Sequence, residues 1–176
     1  MRQFLFVSFA AIALTAGVTA HAQDHMDHQK HVSAKAGDSR QAVDFPPEMR
    51  EHTLSNMRDH LQALSEILAA MSDARYAKAA GIAKARLGMD SPSAQGCKKE
   101  AAPANQMSGP ANMDHQMSRL MPEGMRKAGL EMHESASAFA AEAAKAGRTG
   151  NARAALAALS KVTQQCTACH SAYRMQ

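Results

Sequence analysis

Apolar side chains recur at helical spacing in the first predicted element, which runs from about Pro47 to Met71. Its main apolar positions step by three and four residues: Leu54, Met57, Leu61, Leu64 and Leu68, with Ile67 and Met71 beside them. Such a period places these side chains in one stripe along a helix, so we predict that the stripe faces a core. The preceding Phe45-Pro46-Pro47-Glu48 favours a helix start, since proline fits the first turn and Glu48 complements the helix dipole.

Three further helices follow by the same criterion. The second is short and rich in alanine, from about residue 74 to 87, and Gly88 ends it. The third runs from about residue 122 to 146 and the fourth from about residue 151 to 173. No stretch has the alternation typical of a strand, and short breaks favour antiparallel neighbours. We therefore predict an all-α fold, an antiparallel four-helix bundle over residues 46–176.

Two segments lack this periodicity. Residues 23–45 are polar and rich in histidine, which predicts a disordered linker. Residues 89 to about 119 carry Ser, Pro, Gly, Asn, Gln and several Met, which predicts a long irregular connection. Cys97 lies in that connection, where a loop thiol without a role is the simplest interpretation.

The first 22 residues have the pattern of a secretory signal peptide. Arg2 supplies a positive start, residues 4–18 are almost wholly apolar, and Ala20-His21-Ala22 fits a small-x-small cleavage site. We predict cleavage after Ala22 and export to the periplasm. The apolar run is too short for a convincing membrane span and no second run follows, so we expect no span in the mature chain.

Charge and motifs narrow the function classes. Twenty Lys and Arg against sixteen Asp and Glu give a formal charge of +4, which falls to +3 when Arg2 is removed. The positive residues are scattered and form no basic stripe, so we expect no nucleic-acid partner. No nucleophile paired with a base and no phosphate-binding loop is recognisable, which predicts a protein that is not an enzyme.

The strongest motif is Cys166-Thr167-Ala168-Cys169-His170. Positions i, i+3 and i+4 share one helix face, so two thiols and an imidazole can address one flat ligand together. This spacing is the attachment signal for c-type haem. A redox CxxC would begin a βαβ unit, and a zinc site would need further ligands at similar spacing; the sequence supplies neither. We predict one covalent haem c on Cys166 and Cys169, with His170 as an iron ligand.

The aromatic content agrees with a bound porphyrin. The chain has no tryptophan, and only four aromatic residues follow the predicted cleavage site: Phe45, Tyr76, Phe139 and Tyr173. Aromatic side chains usually supply much of the bulk of a core. We therefore expect a haem to form part of the core and the protein without haem to be loosely packed.

A helical bundle with CxxCH in its last helix resembles the class II c-type cytochromes, the cytochrome c-prime family. The likeness is specific over residues 166–174 and loose elsewhere. It implies that Cys166 and Cys169 hold the porphyrin, that His170 is the proximal ligand, and that Arg174 lies one turn further on, beside the imidazole. An exposed charge that complements the helix dipole is the alternative for Arg174. The resemblance also implies transient redox partner proteins and allows a homodimer.

The distal residue decides the function in this family. A methionine of the first helix gives low-spin iron suited to electron transfer, whereas an apolar residue leaves iron open to nitric oxide or carbon monoxide. Leu54 and Met57 lie one turn apart and permit either arrangement. The spacing to Tyr76 favours Met57, although a methionine on an apolar stripe is often only a gap-filler. Arg50 lies two turns before Met57 and could reach a haem propionate or form a surface ion pair.

A lesser alternative is a copper-handling module. Residues 24–31 and 112–117 share the sequence Met-Asp-His-Gln, and imidazole and thioether groups suit copper. In the first helix, His52 and His60 fall on the polar flank, where we expect them to be solvated. Met49 falls near the helix start and off the apolar stripe, which makes it a weaker candidate ligand.

Overall fold

The protein is described by a computed structural model that covers residues 37–98 and 109–176. Helices make up 78% of these residues and pack against one another. The α-helices are α1 (Pro47–Ser72), α2 (Tyr76–Ile82), α3 (Pro110–Leu120), α4 (Glu123–Thr149) and α5 (Arg153–Ala172). A π-helical stretch, Ala83–Leu87, continues α2, and a 3-10 helix spans Pro92–Cys97. None of the helices in the described ranges is long and apolar enough to cross a membrane.

Four of these helices match the predicted ones closely in extent. The predicted start of the first helix, Pro47, is confirmed, and its end differs by one residue. The third and fourth predicted helices correspond to α4 and α5, with bounds shifted by one to three residues. The predicted signal peptide and most of the predicted linker lie outside the described residues, so these two predictions stay predictions.

The helices α1, α2, α4 and α5 share one core, which we call the alanine core. Its largest fully buried members are Phe139 and Ile67, and most others are alanines. Small side chains let helix backbones approach closely, so alanine at the contact positions favours tight pairing of these helices. Backbone contacts are extensive between α1 and α2, α2 and α4, and α4 and α5, and at most marginal between α1 and α5.

The predicted stripe is only partly the buried face of α1. Ile67 and Met71, predicted beside the stripe, are buried, and Leu64 packs on the alanine core, but two leucines of the stripe are exposed. Leu61 and Leu68 are 69% and 51% exposed, whereas the buried residues are Thr53, Ala63, Ile67, Ala70 and Met71. Two ion pairs fix this rotation, since Arg86 binds both Asp59 and Glu66. Residues two apart on a helix differ by about 200°, so Leu61 and Leu68 lie on the flank opposite Asp59 and Glu66.

The irregular connection predicted over residues 89–119 is wrong, because it contains the 3-10 helix and α3. Polar side chains hold α3 against α1. His52 Nε2 donates to Asp114 Oδ1 at 2.6 Å, and Thr53 Oγ1 donates to Met117 Sδ at 2.8 Å. The prediction that His52 is solvated is therefore also wrong, since its partner Asp114 is buried.

Two short strands were not predicted. β1 (Gln41–Val43) pairs in parallel with β2 (Tyr173–Met175), with Gln41 opposite Tyr173 and Val43 opposite Met175. Residues 38–45, assigned to a disordered linker by sequence, are therefore structured, and the compact unit begins at Asp38. Three-residue strands are too short to show the alternation by which strands are recognised in a sequence.

Candidate haem-attachment site

The last turns of α5 carry the CxxCH motif at the boundary between the buried and exposed faces of the helix. Val162 and Leu159 are buried one and two turns before Cys166. Both motif cysteines are half-buried, and His170 is exposed. The helix therefore presents two thiols at its edge with an imidazole beside them, as expected from the i, i+3, i+4 spacing.

All three cysteines of the chain are free thiols. Burial raises the pKa of Cys166, and burial together with the nearby Cys166 raises the pKa of Cys169. Both thiols are therefore protonated at neutral pH, and neither is paired in a disulfide.

Cys97 occupies a different environment, close to α4. Burial raises its pKa to about 11, and Cys169 and Asp114 contribute to the shift. A methyl group at Gly129 would overlap the Cys97 sulfur, so the absence of a side chain at position 129 makes room for the thiol. Cys97 is thus a packed thiol rather than the loop thiol expected from sequence.

A second cluster surrounds the end of α5, and we call it the methionine cluster. Its buried members are Val43, Phe45, Met117, Met121 and Met125. Four half-buried residues pack against it: Met49, Cys169, Tyr173 and Met175. Met49 lies off the predicted stripe, as expected, and its contact with this cluster could not be predicted, because partners far away in the chain leave no mark on helical periodicity.

The predicted distal residues lie together on the exposed side of α1. We call this side, which carries Leu54, Met57, Leu61 and Leu68, the leucine flank. Leu54 and Met57 are half-buried, and Leu61 and Leu68 are exposed. On α5, Leu156 is also 51% exposed, two residues from Ala158, which packs on the alanine core. Both helices therefore keep apolar side chains on flanks that point away from their closest helix neighbours.

These features fit a porphyrin held by α5. The groups needed to attach a haem are all present, since two unpaired thiols and an exposed imidazole lie together near the end of one helix. Leu61 and Leu68 of the leucine flank remain uncovered on α1, and Leu156 remains uncovered on α5. A flat apolar group with polar edges would bury side chains of this kind, which is favourable.

The two arginines predicted at the site are placed differently. Arg50 is exposed on the same side of α1 as Met57, as its spacing implied. Arg174 does not lie one turn beyond His170, because α5 ends at Ala172 and Arg174 belongs to β2. Its Nε lies 3.5 Å from the carboxylate of Asp38, so strand pairing and this ion pair determine its position.

A pair of histidines, His133 buried and His60 half-buried, was not predicted. The rings of His60 and His133 meet edge to face with centroids 5.6 Å apart. His133 Nδ1 donates to the Leu87 carbonyl at 2.7 Å, and His60 is hydrogen-bonded to Ser93 at 2.8 Å. Burial lowers the pKa of His60 to about 4 and also lowers that of His133. The solvated role expected for His60 is therefore wrong; the position of His133 among the apolar residues of the third predicted helix was the available signal.

The structure describes only one of the two segments considered as copper ligands. Residues 24–31 lie outside the described ranges. Residues 112–117 belong to α3, where Asp114 is bound to His52 and Met117 lies in the methionine cluster. Within residues 37–98 and 109–176, no three His, Cys, Asp or Glu side chains converge as a metal site.

Comparisons with protein-family models, with curated proteins and with solved structures found no match for this chain. The chemistry of the site is therefore inferred from its residues and their placement.

Proposed function

We propose that this chain is an exported c-type cytochrome that transfers electrons through one haem c bound to Cys166 and Cys169. The proposal rests on the arrangement at the end of α5, where two free, half-buried thiols lie one turn apart and are followed directly by an exposed His170. No other arrangement in the described ranges combines two thiols with an imidazole. A thiol redox function is less well supported, because burial raises the pKa of both thiols, whereas a reactive thiol needs a lowered one.

We further propose that α1, α2, α4 and α5 form the antiparallel four-helix bundle of the class II cytochromes. The shared alanine core supports this arrangement. The methionine cluster supports the antiparallel direction of α1 and α5, since Met49 near the start of α1 and Cys169 near the end of α5 pack against the same residues. In this proposal α3 is an addition between the second and third bundle helices.

When bound, a haem c supplies one-electron redox chemistry. The chain would make four contributions. Cys166 and Cys169 would fix the orientation of the group, and the His170 imidazole would bind its iron. The leucine flank would exclude water from one side, and Arg50 at the exposed edge of that flank could bind a carboxylate. The two exposed residues inside the motif, Thr167 and Ala168, leave room for the transient approach of a redox partner.

Met57 is the proposed distal ligand, and its position on the leucine flank supports this role. The side chain is half-buried and unbranched, so it can turn toward a group held by α5. Leu54, half-buried one turn before it, supports the alternative function, a gas-binding haem protein with an open iron site. Thioether ligation would raise the reduction potential and suit electron transfer.

Absorption and electron paramagnetic resonance spectra of the purified ferric protein test the proposal. We expect a low-spin signal with a sulfur-to-iron charge-transfer band, which Met57→Leu abolishes. Met71→Leu makes the same change four turns away on α1 and serves as the matched control. We expect it to leave the spectra unchanged, because Met71 is buried in the alanine core. Met49→Leu tests the other methionine of α1, which packs on the same cluster as Cys169.

Three outcomes would revise the proposal. A high-spin, five-coordinate signal in the unaltered protein would favour the open site at Leu54. Loss of the charge-transfer band in Met49→Leu, with the band kept in Met57→Leu, would transfer the ligand role to Met49. A protein without covalently bound haem would contradict the proposed function itself.

A further inference from the structure

The segment Asp38–Phe45 holds the chain end that follows the CxxCH motif, and we call this segment the strap. Its strand β1 pairs with β2, which begins three residues after His170. Gln176 N donates to the Val43 carbonyl at 3.2 Å, which extends the pairing. Val43 and Phe45 are only 4% and 3% exposed, and both belong to the methionine cluster against which Cys169 packs.

A charged cluster joins the strap to the last turn of α5. Arg40 Nη1 donates to the His170 carbonyl at 3.3 Å, and its other guanidinium nitrogens bind the Asp38 carboxylate at 2.6 to 3.2 Å. The same carboxylate pairs with Arg174. The last four carbonyls of a helix lack partners within the helix, so a donor at His170 satisfies one of them and its charge complements the dipole.

We infer that the strap positions the haem-binding turn of α5, with Arg40 and Val43 as positioning residues that act through the His170 backbone and the strand pairing. The inference rests on the proposed function for its haem-related part. Its geometric part stands on the pairing, the Arg40 hydrogen bond and the buried side chains.

Apart from Cys169, which packs on the methionine cluster, the turn carrying His170 has few other restraints. His170, Ser171 and Ala172 are exposed, so packing on the alanine core does not fix this turn. A helix end without packing frays, because its terminal residues lose little when they unwind. The strap supplies the missing restraint by binding both the last turn and the three residues beyond it. A frayed turn would let water reach the iron ligand and would lower the reduction potential, since ferric charge is better solvated.

Two substitutions on one strand test this inference in the full-length holoprotein. Val43→Asp places a charge at a buried strap position, and Gln41→Asp places the same charge at an exposed position two residues away. We expect Val43→Asp to make the Gln176 amide exchange with solvent about tenfold faster or more, because its bond to Val43 is lost. We also expect a lower reduction potential than in Gln41→Asp, whose added charge is equal.

A second pair covers the case in which Val43→Asp does not fold. Arg40→Ala removes the donor to His170, and Arg58→Ala removes an exposed guanidinium paired with Glu51 on α1. We expect faster exchange and a broadened or second low-spin haem signal only for Arg40→Ala. Equal rates of Gln176 amide exchange within each pair of variants would overturn the inference that the strap holds the chain end. Faster exchange with an unchanged reduction potential and an unchanged haem spectrum would overturn its positioning role. Absence of haem in the unaltered protein would contradict the proposed function instead, while the exchange data would still report on the strap.

Discussion

The alanine core and the methionine cluster are built by different means. The alanine core joins four helices through small side chains at helical spacing, with Phe139 and Ile67 as its largest fully buried members. The methionine cluster joins β1, α3, α4 and the end of α5 through long thioether side chains. Small side chains fix backbone distances, whereas methionine adapts its shape to its neighbours. The rigid part of the molecule thus positions the helices, and the adaptable part surrounds the thiol that we expect to carry haem.

The largest expected effect on stability comes from a substitution in the alanine core, which we compare with one in the methionine cluster. Phe139→Ala removes the largest fully buried side chain and should lower the free energy of unfolding by about 3–5 kcal/mol. Met121→Leu changes shape at nearly constant volume in the methionine cluster and should cost less than about 1.5 kcal/mol. Urea unfolding of the holoprotein measures both. A Met121→Leu loss as large as that of Phe139→Ala would show that the cluster is not adaptable.

The next effect is a dependence of the free energy of unfolding on pH, which arises at His60 and His133. Burial holds the pKa of His60 at about 4, so the unfolded chain binds more protons than the folded chain between pH 6.5 and 4. Stability should therefore fall as the pH decreases through this window, by on the order of 3 kcal/mol. The charged groups that act on His60 and His133 are Asp59, Arg86, Lys98 and Asp114.

His60→Asn removes this proton uptake on unfolding and should flatten stability between pH 6.5 and 4, measured by urea unfolding at each pH. His133, whose pKa is lowered by the same cause, should leave a smaller residual slope. An unchanged slope in His60→Asn would place the pH dependence elsewhere in the protein.

The smallest effect distinguishes two glycines of neighbouring helices. Gly129→Ala should destabilise by about 1–2 kcal/mol, because its methyl group overlaps the Cys97 sulfur. Gly81→Ala has no neighbour within 4 Å and should stabilise by up to about 1 kcal/mol through helix propensity. Thermal unfolding of both variants gives the sign. Rescue of Gly129→Ala by Cys97→Ala would confirm the contact, and equal effects of the two glycine substitutions would contradict it.

The sequence was sufficient to predict the elements whose signal is local. Pro47 and the apolar period located α1. The CxxCH motif falls inside the fourth predicted helix, which corresponds to α5. The rotation of α1 could not be predicted in this way. Its leucines form the more regular stripe, but Ala63 and Ala70 face the core because α2 can approach them closely and Arg86 binds the flank beside them.

The remaining differences arise from contacts between residues far apart in the chain. β1 is stable only because β2 lies beside it, and α3 is held by His52 and Thr53 from α1. A pattern along one segment carries no record of such partners. At the candidate site, the donor set was recognisable from spacing, whereas Arg40 and Met49 were not, since each acts through an element remote in sequence.

The mass of the intact protein purified from the periplasm after export tests the central claim most directly. We predict a chain that begins at Gln23 and carries the added mass of one haem, which stays bound under denaturing conditions. Replacement of both Cys166 and Cys169 by alanine should remove that added mass and leave the chain mass otherwise as expected. A wild-type mass without haem, or one lowered only by loss of two hydrogens in a disulfide, would contradict the account.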